Sequence, residues 1–454
     1  MAFHRPRYSS LAFRGTDGSQ QGFNVSSFLL IRPLTMRVAI IGSGISGLAA
    51  TRFLSSTCAV SLFEKDFRLG GHTHTHQLLL GDKTVAVDSG FIVHNRINYP
   101  NLIRLLDELN VETCDSDMSF SVDRQGDPLG FSWCSRGLNG LFTDRKNILN
   151  PRFYSFLAQI HRFNKVGRRV IKHVDQAQTD LSLETFLRLH HLDETFAENY
   201  IYPMASSVWS MSRQKMRDFP VLTLLRFFHN HGMLGLSTQH GWRTIPGGTS
   251  RYIAPLIQPF KEHIFLGRSP VRIQRQVHEV NLDFIDGTRE AFDHVVFACP
   301  APEALRLLSD PSDRESEVLS AFTVSGNPTI LHRDKSVLPP RRRSWASWNY
   351  PSNPHNGSAQ LTYHMNRLQP LDTREDLFVT LNAGSTIDTQ WIEQRMDYTH
   401  PQYTHRSVAA QDRWHEISRV DRRTHFAGAY WGYGFHEDGL VSGLRVARVL
   451  GAQW

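Results

Sequence analysis

Cysteine is scarce in this sequence, and its spacing forms no recognisable site. The four cysteines (Cys58, Cys114, Cys134 and Cys299) are widely separated and include no CxxC pair. Disulfide-rich secreted domains and zinc modules both depend on dense or paired cysteines. We therefore expect free thiols, a reducing compartment and a cytoplasmic protein.

Long apolar runs are missing as well. No window approaches the roughly 18 apolar residues that a membrane-spanning helix requires. The segment that comes nearest, residues 224–236 (LLRFFHNHGMLGL), is too short and too polar to span. It predicts a core helix followed by a loop, and a lipid-facing element at the membrane surface is the alternative. A peripheral membrane contact therefore remains open.

Basic residues are in excess, with a net charge of +7, but they are scattered. The one dense cluster, residues 341–343 (RRR), follows two prolines and is interpreted as a solvated turn. A patch that meets phosphate head groups is the alternative. Zinc fingers, RNA-binding motifs and arrays of basic and aromatic residues are absent from the sequence, so we expect no nucleic-acid partner.

With 454 residues, of which 40% are hydrophobic and 20% charged, the chain fits a soluble globular protein of two or three domains. It has no internal repeats. Residues 1–35 are serine-rich and resemble a weak transit peptide. Met36 stands directly before the first predicted strand, so we interpret residues 1–35 as an extension outside the fold, either a disordered tail or a mis-assigned start.

The most informative segment is a glycine-rich loop between a predicted strand and a predicted helix. Residues 36–65 read MRVAIIGSGISGLAATRFLSSTCAVSLFEK: an apolar strand, the loop Gly42–Gly47, a small-residue helix, and a second apolar strand that ends on Glu64. This order is typical of a dinucleotide site, where the helix N-terminus offers free N–H groups to phosphates.

Each residue type in that segment has a physical reason. Gly42 permits the tight turn, Gly44 lets the backbone approach a pyrophosphate, and Gly47 lets the helix pack on the strand. Glu64, about 20 residues on, is placed to accept both hydroxyls of an adenosine ribose. These residues together predict a dinucleotide-binding site.

The rest of the chain divides by its pattern. Predicted elements of the nucleotide-binding half are a strand at 84–88, a helix at 99–109, a helix at 249–258, strands near 265, 271–273, 278–280, 292–298 and 424–427, and a C-terminal helix at 440–450. Residues 110–236 are predicted to be helical and are rich in aromatic residues, and they lack the strand–glycine loop–helix order of the nucleotide-binding segments. Beyond Pro302, short strands alternate with turns to about residue 400, as in an antiparallel sheet.

We therefore predict an α/β fold with a discontinuous nucleotide-binding domain and an α+β substrate domain. The nucleotide-binding domain comprises residues 36–109, 237–305 and 405–454. The substrate domain comprises residues 110–236 and 306–404. The Gly70-Gly71 doublet and the turn Pro246–Gly248 bring backbone close to a ligand, most simply the same cofactor.

Over residues 36–454 the chain resembles the FAD-dependent amine-oxidase superfamily (flavin-containing amine oxidoreductases). The resemblance is carried by IGSGISGLAA, FEKDFRLGGHTHT, VDSGFIVHNRINYPNL, PMASSVWSMS, HGWRTIPGGTSRY, SWASWNY and FAGAYWGYGFHEDGLVSGLRVA. Within it, the chain is more similar to a branch of predicted NAD/FAD-binding oxidoreductases whose domain is also fused to plant cyclopropane-fatty-acid synthases. The resemblance implies a glutathione-reductase-like Rossmann domain with FAD as its cofactor.

The resemblance also assigns residues. It places FAD on the following set: Gly42, Ser43, Gly44, Ser46, Gly47, Glu64, Lys65, Gly70, Gly71, His72, Thr73, Gly90, Val271 (through its backbone), Gly428, Glu437, Asp438 and Leu440. In many relatives an arginine follows the glycine doublet, whereas His72 stands here. The C-terminal helix would offer its N-terminus to the flavin pyrimidine.

A second set would face the flavin ring or the substrate: Phe91, Trp242, Arg243, Tyr430 and Trp431, with Tyr433 and Phe435 in the same glycine-spaced loop. Packing in the core is the alternative for the aromatic loop, and an ordinary turn is the alternative for Gly247-Gly248. His72, His74 and His76 alternate as metal ligands on a strand would, but no cysteine or carboxylate cluster completes a site, so we expect no metal. Lys335 is not fixed by its surroundings, and we single out no catalytic residue.

The function that follows is an FAD-dependent oxidoreductase that abstracts a hydride from an apolar or amine substrate. Analogy with the lipid-modifying branch suggests a fatty-acyl substrate. One alternative is an FAD-containing isomerase or hydratase of lipids without net redox, and another is a non-catalytic partner of a lipid-modifying enzyme. We do not favour an NAD-dependent dehydrogenase, because the glycine doublet and the C-terminal motif would have no role in such an enzyme.

Overall fold

The computed structural model describes residues 35–124, 130–173, 181–235, 240–351 and 359–454. The expected extension, up to residue 34, lies outside this range. The strands are β1 (Arg37–Ile41), β2 (Ala59–Glu64), β3 (Thr75–Leu80), β4 (Lys83–Asp88), β5 (His94–Asn95), β6 (Cys114–Asp115), β7 (Phe120–Val122), β8 (Trp133–Cys134), β9 (Trp242–Thr244), β10 (Ile264–Leu266), β11 (Pro270–Arg275), β12 (Val280–Phe284), β13 (Arg289–Phe292), β14 (His294–Phe297), β15 (Thr323–His332), β16 (Trp348–Tyr350), β17 (Leu361–His364), β18 (Phe378–Leu381), β19 (Ile392–Gln402) and β20 (Thr424–Phe426).

The α-helices are α1 (Ile45–Leu54), α2 (Pro100–Glu108), α3 (Gly137–Leu141), α4 (Pro151–Lys172), α5 (Leu183–Leu189), α6 (Glu194–Phe196), α7 (Tyr202–Trp209), α8 (Arg213–Arg217), α9 (Val221–Asn230), α10 (Ile253–Ile257), α11 (Ala301–Leu307), α12 (Asp313–Leu319), α13 (Met365–Leu368), α14 (His405–Gln411), α15 (Trp414–Ile417) and α16 (His436–Val449). Short 3-10 turns flank several of them. The predicted helix at 249–258 is split into a 3-10 turn at Thr249–Tyr252 and the α-helix α10.

A parallel sheet in the order β10-β2-β1-β14-β20 positions the predicted cofactor site. Its central strands are apolar without alternation because both faces are covered, which is the usual pattern for parallel strands. Helices α1 and α16 cross on one face, where a side chain at Gly443 would lie 2.2 Å from the carbonyl oxygen of Ser46. These strands come from three separated stretches of sequence, as the discontinuous prediction requires.

The second large sheet has the order β19-β15-β18-β17-β16-β7-β8 and is mostly antiparallel, as predicted. Its strands come from the two predicted substrate segments. The hairpin β3–β4, assigned to the nucleotide-binding segment, contributes Leu78, Val85 and Val87 to the same apolar cluster as Leu331 and Val379 of this sheet. The division into two domains stays a prediction, since residues 36–454 form one compact unit.

Residues 110–236 are not helical from their start. Strands β6, β7 and β8 precede the helices, and β7 joins the second sheet by pairing in parallel with β16. Sequence periodicity missed them because each spans only two or three residues. Helix α9 is a buried core helix, which confirms the first reading of its segment. None of the helices in the described ranges is long and apolar enough to span a bilayer.

Two further boundaries differ from the prediction. The strand predicted at 292–298 is two strands, β13 and β14, which belong to different sheets and separate at Asp293. Helix α16 begins at His436 instead of residue 440, so Glu437 and Asp438 lie in its first turn. The later start was predicted because the first turn is polar.

Candidate functional site

The loop between β1 and α1 depends on its glycines for steric reasons. Gly42 has φ of +103°, and a Cβ there would lie 2.9 Å from the carbonyl oxygen of Ala298. A Cβ at Gly47 would lie 1.9 Å from the carbonyl oxygen of Gly42. These contacts hold the loop tightly against the ends of β1 and β14.

Gly44 is different, because it faces open space. None of the described atoms outside its chain neighbours lies within 4 Å of a Cβ placed there. It is the N-cap of α1, where no described side chain makes a capping hydrogen bond, and no acid occupies the first turn. Free N–H groups and the positive end of the helix dipole therefore meet at a concavity that fits a pyrophosphate.

The glycine doublet closes the other side of this concavity. Gly70 donates its N–H to the carbonyl oxygen of Ser43, 3.0 Å away, and a Cβ at Gly71 would lie 3.1 Å from the Cα of Gly44. The structure thus brings together two motifs that are 26 residues apart in sequence (Gly44 and Gly70). We call the surface formed by Gly42–Gly47, Glu64, Gly70 and Gly71 the cradle.

Glu64 is buried at the end of β2, and neighbouring residues of the chain bind its carboxylate. Ser43 donates both its N–H and its Oγ–H to one carboxylate oxygen, at 2.8 and 2.6 Å, and Asp66 donates its N–H to the other at 3.0 Å. A carboxylate has about four acceptor sites, so these three hydrogen bonds leave one site free for a ribose hydroxyl. Lys65 is exposed beside it, and Ser46 is buried in the first turn of α1.

Val271 lies at an irregularity of the β11–β12 ladder. Pro270 pairs with Phe284 and Arg272 with Asp283, so the register shifts at Val271 and leaves it outside the regular pairing. A residue at such an irregularity is displaced from the regular ladder, and the predicted backbone contact of Val271 to adenine stays a prediction.

At the C-terminal motif, the two predicted acids stabilise the protein instead of pointing at a ligand. Glu437 accepts hydrogen bonds from the N–H groups of Asn101 and Leu102 at the start of α2, at 3.0 and 2.9 Å. Asp438 accepts the N–H of Phe435 at 2.9 Å, and burial raises the pKa of Asp438 to about 6. The carboxylates thus cap α2 and the preceding loop, and the cofactor contacts of these two residues stay predictions.

Two other residues of the same motif, Gly428 and Leu440, are held within the protein, and their cofactor contacts stay predictions. Gly428 donates its N–H to Oγ of Ser442 at 3.0 Å, and Leu440 is fully buried in the core. The N-terminus of α16 follows the glycine-spaced loop and can offer N–H groups to a bound cofactor.

Asp88 fixes the loop that carries Gly90. Its carboxylate accepts Oγ1 of Thr75 at 2.5 Å, the N–H of Thr249 at 2.9 Å and Nε2 of Gln369 at 2.6 Å. Burial raises the pKa of Asp88 to about 7. This one side chain therefore joins the end of β4 to Thr249, which follows the Gly247-Gly248 turn, and to Gln369 at the end of α13, so the turn lies close to the loop that carries Gly90.

A chain of hydrogen bonds leads from the glycine doublet to α16. Oγ1 of Thr73 lies 2.8 Å from Oη of Tyr252, which lies 2.9 Å from Nε2 of His436. The ring of His436 stacks on Phe91, with centroids 3.9 Å apart. Burial lowers the pKa of His436 to about 3, so this imidazole is neutral. Tyr252 and His436 were missed because they lie between the glycines that define the motifs.

His94 is the least satisfied polar side chain near this loop. It is fully buried, and neither ring nitrogen has a hydrogen-bond partner in the part of the chain that the structure describes. Strand β5, which carries it, pairs with β9, so His94 lies between two segments predicted to face the flavin. An unpartnered buried imidazole is costly. Because His94 has no exposed surface in this structure, a cofactor could reach it only after the surrounding side chains move.

The aromatic wall consists of the rings of Phe227, His231, Trp242, Tyr433 and Phe435. Phe227 stacks on His231 at 3.9 Å and on Phe435 at 5.0 Å, and His231 stacks on Trp242 at 6.0 Å. Burial lowers the pKa of His231 to about 4, so the wall carries no charge at neutral pH.

Three of the residues predicted to face the flavin or the substrate make contacts within the protein, and that role stays a prediction for them. Arg243 points to β6, donating to Oγ1 of Thr113 at 2.7 Å and to Asp115 at 2.8 Å. Tyr430 and Trp431 are buried at 7% and 8% exposure in the core, where both rings pack on Phe322. The glycine spacing of their loop was read as cavity lining, but those glycines fit the loop around Asp438 and the ring of Tyr430.

The alternating histidines form a network with hydroxyl groups. Nδ1 of His74 lies 2.8 Å from Oη of Tyr398, and Oγ of Ser89 lies 2.7 Å from the same oxygen. The ring of His72 packs on Tyr398 at 5.1 Å. Within the described ranges, no group of three or more His, Cys, Asp or Glu side chains has the geometry to hold a metal. Lys335 pairs with Asp376 on the surface at 3.0 Å.

The comparisons with known proteins fit this geometry. The model of the flavin containing amine oxidoreductase family matches residues 45–340. No curated protein sequence matches the chain.

Solved structures share the fold. Cyclohexylamine oxidase from Brevibacterium oxydans IH-35A is 14% identical, with a TM-score of 0.66 over 92% of this chain and 98% of that one. Putrescine oxidase bound to putrescine is 14% identical, with a TM-score of 0.63 over 92% and 99%. A CLA-producing fatty acid isomerase from P. acnes is 15% identical, with a TM-score of 0.63 over 91% and 98%. At these identities the structures support the fold, and the family model supports the assignment.

The cradle, the buried acid at the end of β2 and the open helix N-terminus fit FAD. The chain belongs to the flavin-containing amine oxidoreductase family and is an FAD-dependent oxidoreductase.

Proposed function

We propose that this enzyme removes a hydride from an apolar substrate, at a C–H bond next to nitrogen or to carbon. The substrate also loses a proton and becomes an imine or gains a double bond. FAD supplies the hydride acceptor and passes the two electrons to oxygen or another acceptor. An amine or a fatty-acyl compound is the substrate class.

The observation that supports an apolar substrate is the aromatic wall. Its rings are uncharged, because the imidazole of His231 is neutral at physiological pH, and Phe435 and Tyr433 belong to the loop that precedes α16. Such a wall would orient an apolar body by shape and exclude water, which is most of what a protein adds to flavin chemistry.

The direct test is anaerobic reduction of the purified holoprotein. Amines, polyamines and unsaturated fatty acids would be added in turn, and bleaching of the flavin absorbance would be followed together with product formation. We expect bleaching by an apolar member of this series, with one two-electron-oxidised product per flavin. Bleaching by hydrophilic polyamines alone would contradict the proposal.

A lipid isomerase is the second candidate, and the similarity of fold to the fatty acid isomerase favours it. It would convert an unsaturated acyl chain without net loss of electrons. Turnover without accumulated reduced flavin, under strictly anaerobic conditions and without an acceptor, would support this reading over net oxidation.

A further inference from the structure

Exposed apolar side chains concentrate on one part of the helical insertion. Within residues 136–154, Leu138 is 75% exposed, Ile148 44%, Leu149 88% and Tyr154 48%. Single exposed leucines are ordinary on a protein surface, whereas a contiguous group marks an interaction site.

Contacts between the short elements show that the group is contiguous. Oη of Tyr154 donates to the carbonyl oxygen of Ile148 at 2.8 Å, and the ring of Tyr154 lies 6.4 Å from that of Phe142. Phe142 in turn donates its N–H to the carbonyl oxygen of Leu138 at 3.0 Å. Helix α3, the following 3-10 turn and the start of α4 therefore present one surface.

Cations surround these apolar side chains. Residues 136–154 contain Arg136, Arg145, Lys146 and Arg152 against the single acid Asp144. The run 341–343 joins the same surface, because Nε of Arg343 donates to the carbonyl oxygen of Thr143 at 2.9 Å. All three arginines of the run are exposed. We call residues 136–154 and 341–343 the docking patch.

We propose that the docking patch binds the surface of an anionic lipid bilayer. Exposed leucines and a tyrosine would enter the boundary between head groups and acyl chains, while the surrounding arginines and lysine pair with lipid phosphates. A nucleic acid would leave the leucines without a role, and an apolar protein face would leave the cations without one. Only the lipid surface matches both properties.

The proposal goes beyond the redox function and does not depend on it. The docking patch also lies over the apolar cluster that reaches the aromatic wall: Phe153 and Phe156 of α4 belong to the cluster on which Tyr433 and Phe435 pack. One face of the substrate half would thus rest on the membrane, with the wall behind it.

The test is co-sedimentation of the full-length holoprotein with vesicles of phosphatidylcholine, with or without phosphatidylglycerol. We expect binding to the anionic vesicles only, weakened by high salt. The Leu138→Ser/Leu149→Ser variant should bind about tenfold more weakly, since it loses buried apolar surface. Arg341→Glu/Arg342→Glu/Arg343→Glu should weaken binding about 100-fold.

Matched controls lie on the nucleotide-binding half. Ile285, 90% exposed, gives Ile285→Ser as the apolar control, and Lys261→Glu is the charge control. Both should bind as the wild type does. Should the triple variant fold poorly, Arg342→Glu alone serves, because that side chain is 70% exposed; it pairs with Asp376 and lies over the ring of Trp345.

Equal binding to neutral and anionic vesicles, no binding to either, or equal weakening by the control variants would overturn the proposal. Tighter binding to an oligonucleotide than to anionic vesicles would also overturn it and reassign the patch. The flavin spectrum and substrate-dependent bleaching of each variant should remain unchanged, so failure here is distinguishable from failure of the proposed redox function.

Discussion

The cradle and the aromatic wall are built from different parts of the chain. The cradle is mostly backbone. Gly42, Gly44 and Gly47 shape the main chain before and at the start of α1, and Glu64 adds one carboxylate. The wall consists of side chains, with Phe227 and Phe435 contributed by segments far apart in sequence. A backbone site demands one residue type at fixed spacing, whereas a side-chain wall only demands rings of suitable size.

This difference predicts how each region responds to substitution. In the cradle, a single added side chain either collides with backbone or occupies the space of the ligand. In the wall, rings contact rings, and volume-conserving changes are absorbed by repacking. The largest effects should therefore come from the cradle, although it makes no contact with the substrate.

The largest effect is expected from Gly44→Asp. The protein has room for this side chain and Gly44 has an ordinary φ of −63°, so the apoprotein should fold. The carboxylate would fill the concavity and repel the pyrophosphate, weakening FAD binding roughly 1,000-fold, or about 4 kcal/mol. Fluorescence titration of the apoprotein with FAD measures it.

Gly326→Asp is the matched control, since a Cβ at that exposed position of β15 also meets nothing within 4 Å in the described part of the chain. Its FAD affinity should equal that of the wild type. An unchanged affinity in Gly44→Asp would mean that the cradle does not hold the pyrophosphate.

A smaller loss is expected from Glu64→Gln. The amide keeps the shape but loses charge and half of the acceptor sites that Ser43 and the ribose share. FAD should bind about 30-fold more weakly, in line with the 1.5–3 kcal/mol of a hydrogen bond to a charged group.

The control for Glu64→Gln is Glu315→Gln, which changes another buried carboxylate. Glu315 is bound by Arg275, with its side chain 1% exposed. This variant should lose thermal stability and keep its FAD affinity. If both variants lost affinity to the same extent, the effect of Glu64→Gln would be one of stability and not of ribose binding.

Much of the cradle could be predicted from the sequence because positions without room for a side chain must be glycine, and the glycines can be recognised by their spacing. Gly42 and Gly47 stand where a Cβ would strike backbone, and β1, β2 and β14 read as unbroken apolar runs. The doublet at 70–71 was predicted for the same reason. In the cradle, the local sequence pattern and the role of each residue in the folded structure agree.

The wall could not be predicted in the same way. Tyr430 and Trp431 carried the pattern of cavity lining but pack in the core, whereas Phe227 and His231 read as part of an ordinary core helix and its end. Which aromatic rings stack on each other depends on the packing of segments that are separated in sequence. The acids Glu437 and Asp438 show the same limit, because their partners in α2 and the preceding loop are set by tertiary packing.

His94→Leu tests whether the orphaned imidazole belongs to the flavin position. Removing a fully buried group that lacks partners among the described residues should stabilise the apoprotein by about 1–2 kcal/mol. If FAD binding moves the surrounding side chains so that the flavin contacts His94, the same change should weaken FAD binding about tenfold, or about 1.4 kcal/mol. Urea unfolding of the apoprotein and FAD titration separate the two effects.

His332→Leu is the matched control for His94→Leu. His332 is equally buried, but Nε2 lies 2.8 Å from Oγ1 of Thr380 and Nδ1 accepts the N–H of Asp334. Its loss should destabilise the apoprotein and leave FAD affinity unchanged. A His94→Leu protein with unaltered FAD affinity would remove His94 from the site.

The smallest effect concerns the acid sensitivity of the apoprotein. His436 has a folded pKa of about 3 against about 6.5 when unfolded, so between these values the unfolded state binds more protons. Stability from this group is present above pH 6.5 and is lost as pH falls, by about 1.4 kcal/mol per pH unit. Asp88, with its pKa raised to about 7, acts in the opposite direction, losing stability as pH rises from about 4 to 7.

His436→Gln should therefore flatten the fall in unfolding free energy between pH 6.5 and 5.5 by about 1 kcal/mol relative to the wild type. The exposed His229, changed to Gln, should leave the slope as it is. Urea unfolding at several pH values gives the slopes directly. If the slope of His436→Gln equalled that of the wild type, the imidazole of His436 would be protonated in the folded protein over this pH range. A positive charge would then lie beside Phe91, at the predicted flavin position, whereas the aromatic wall is neutral.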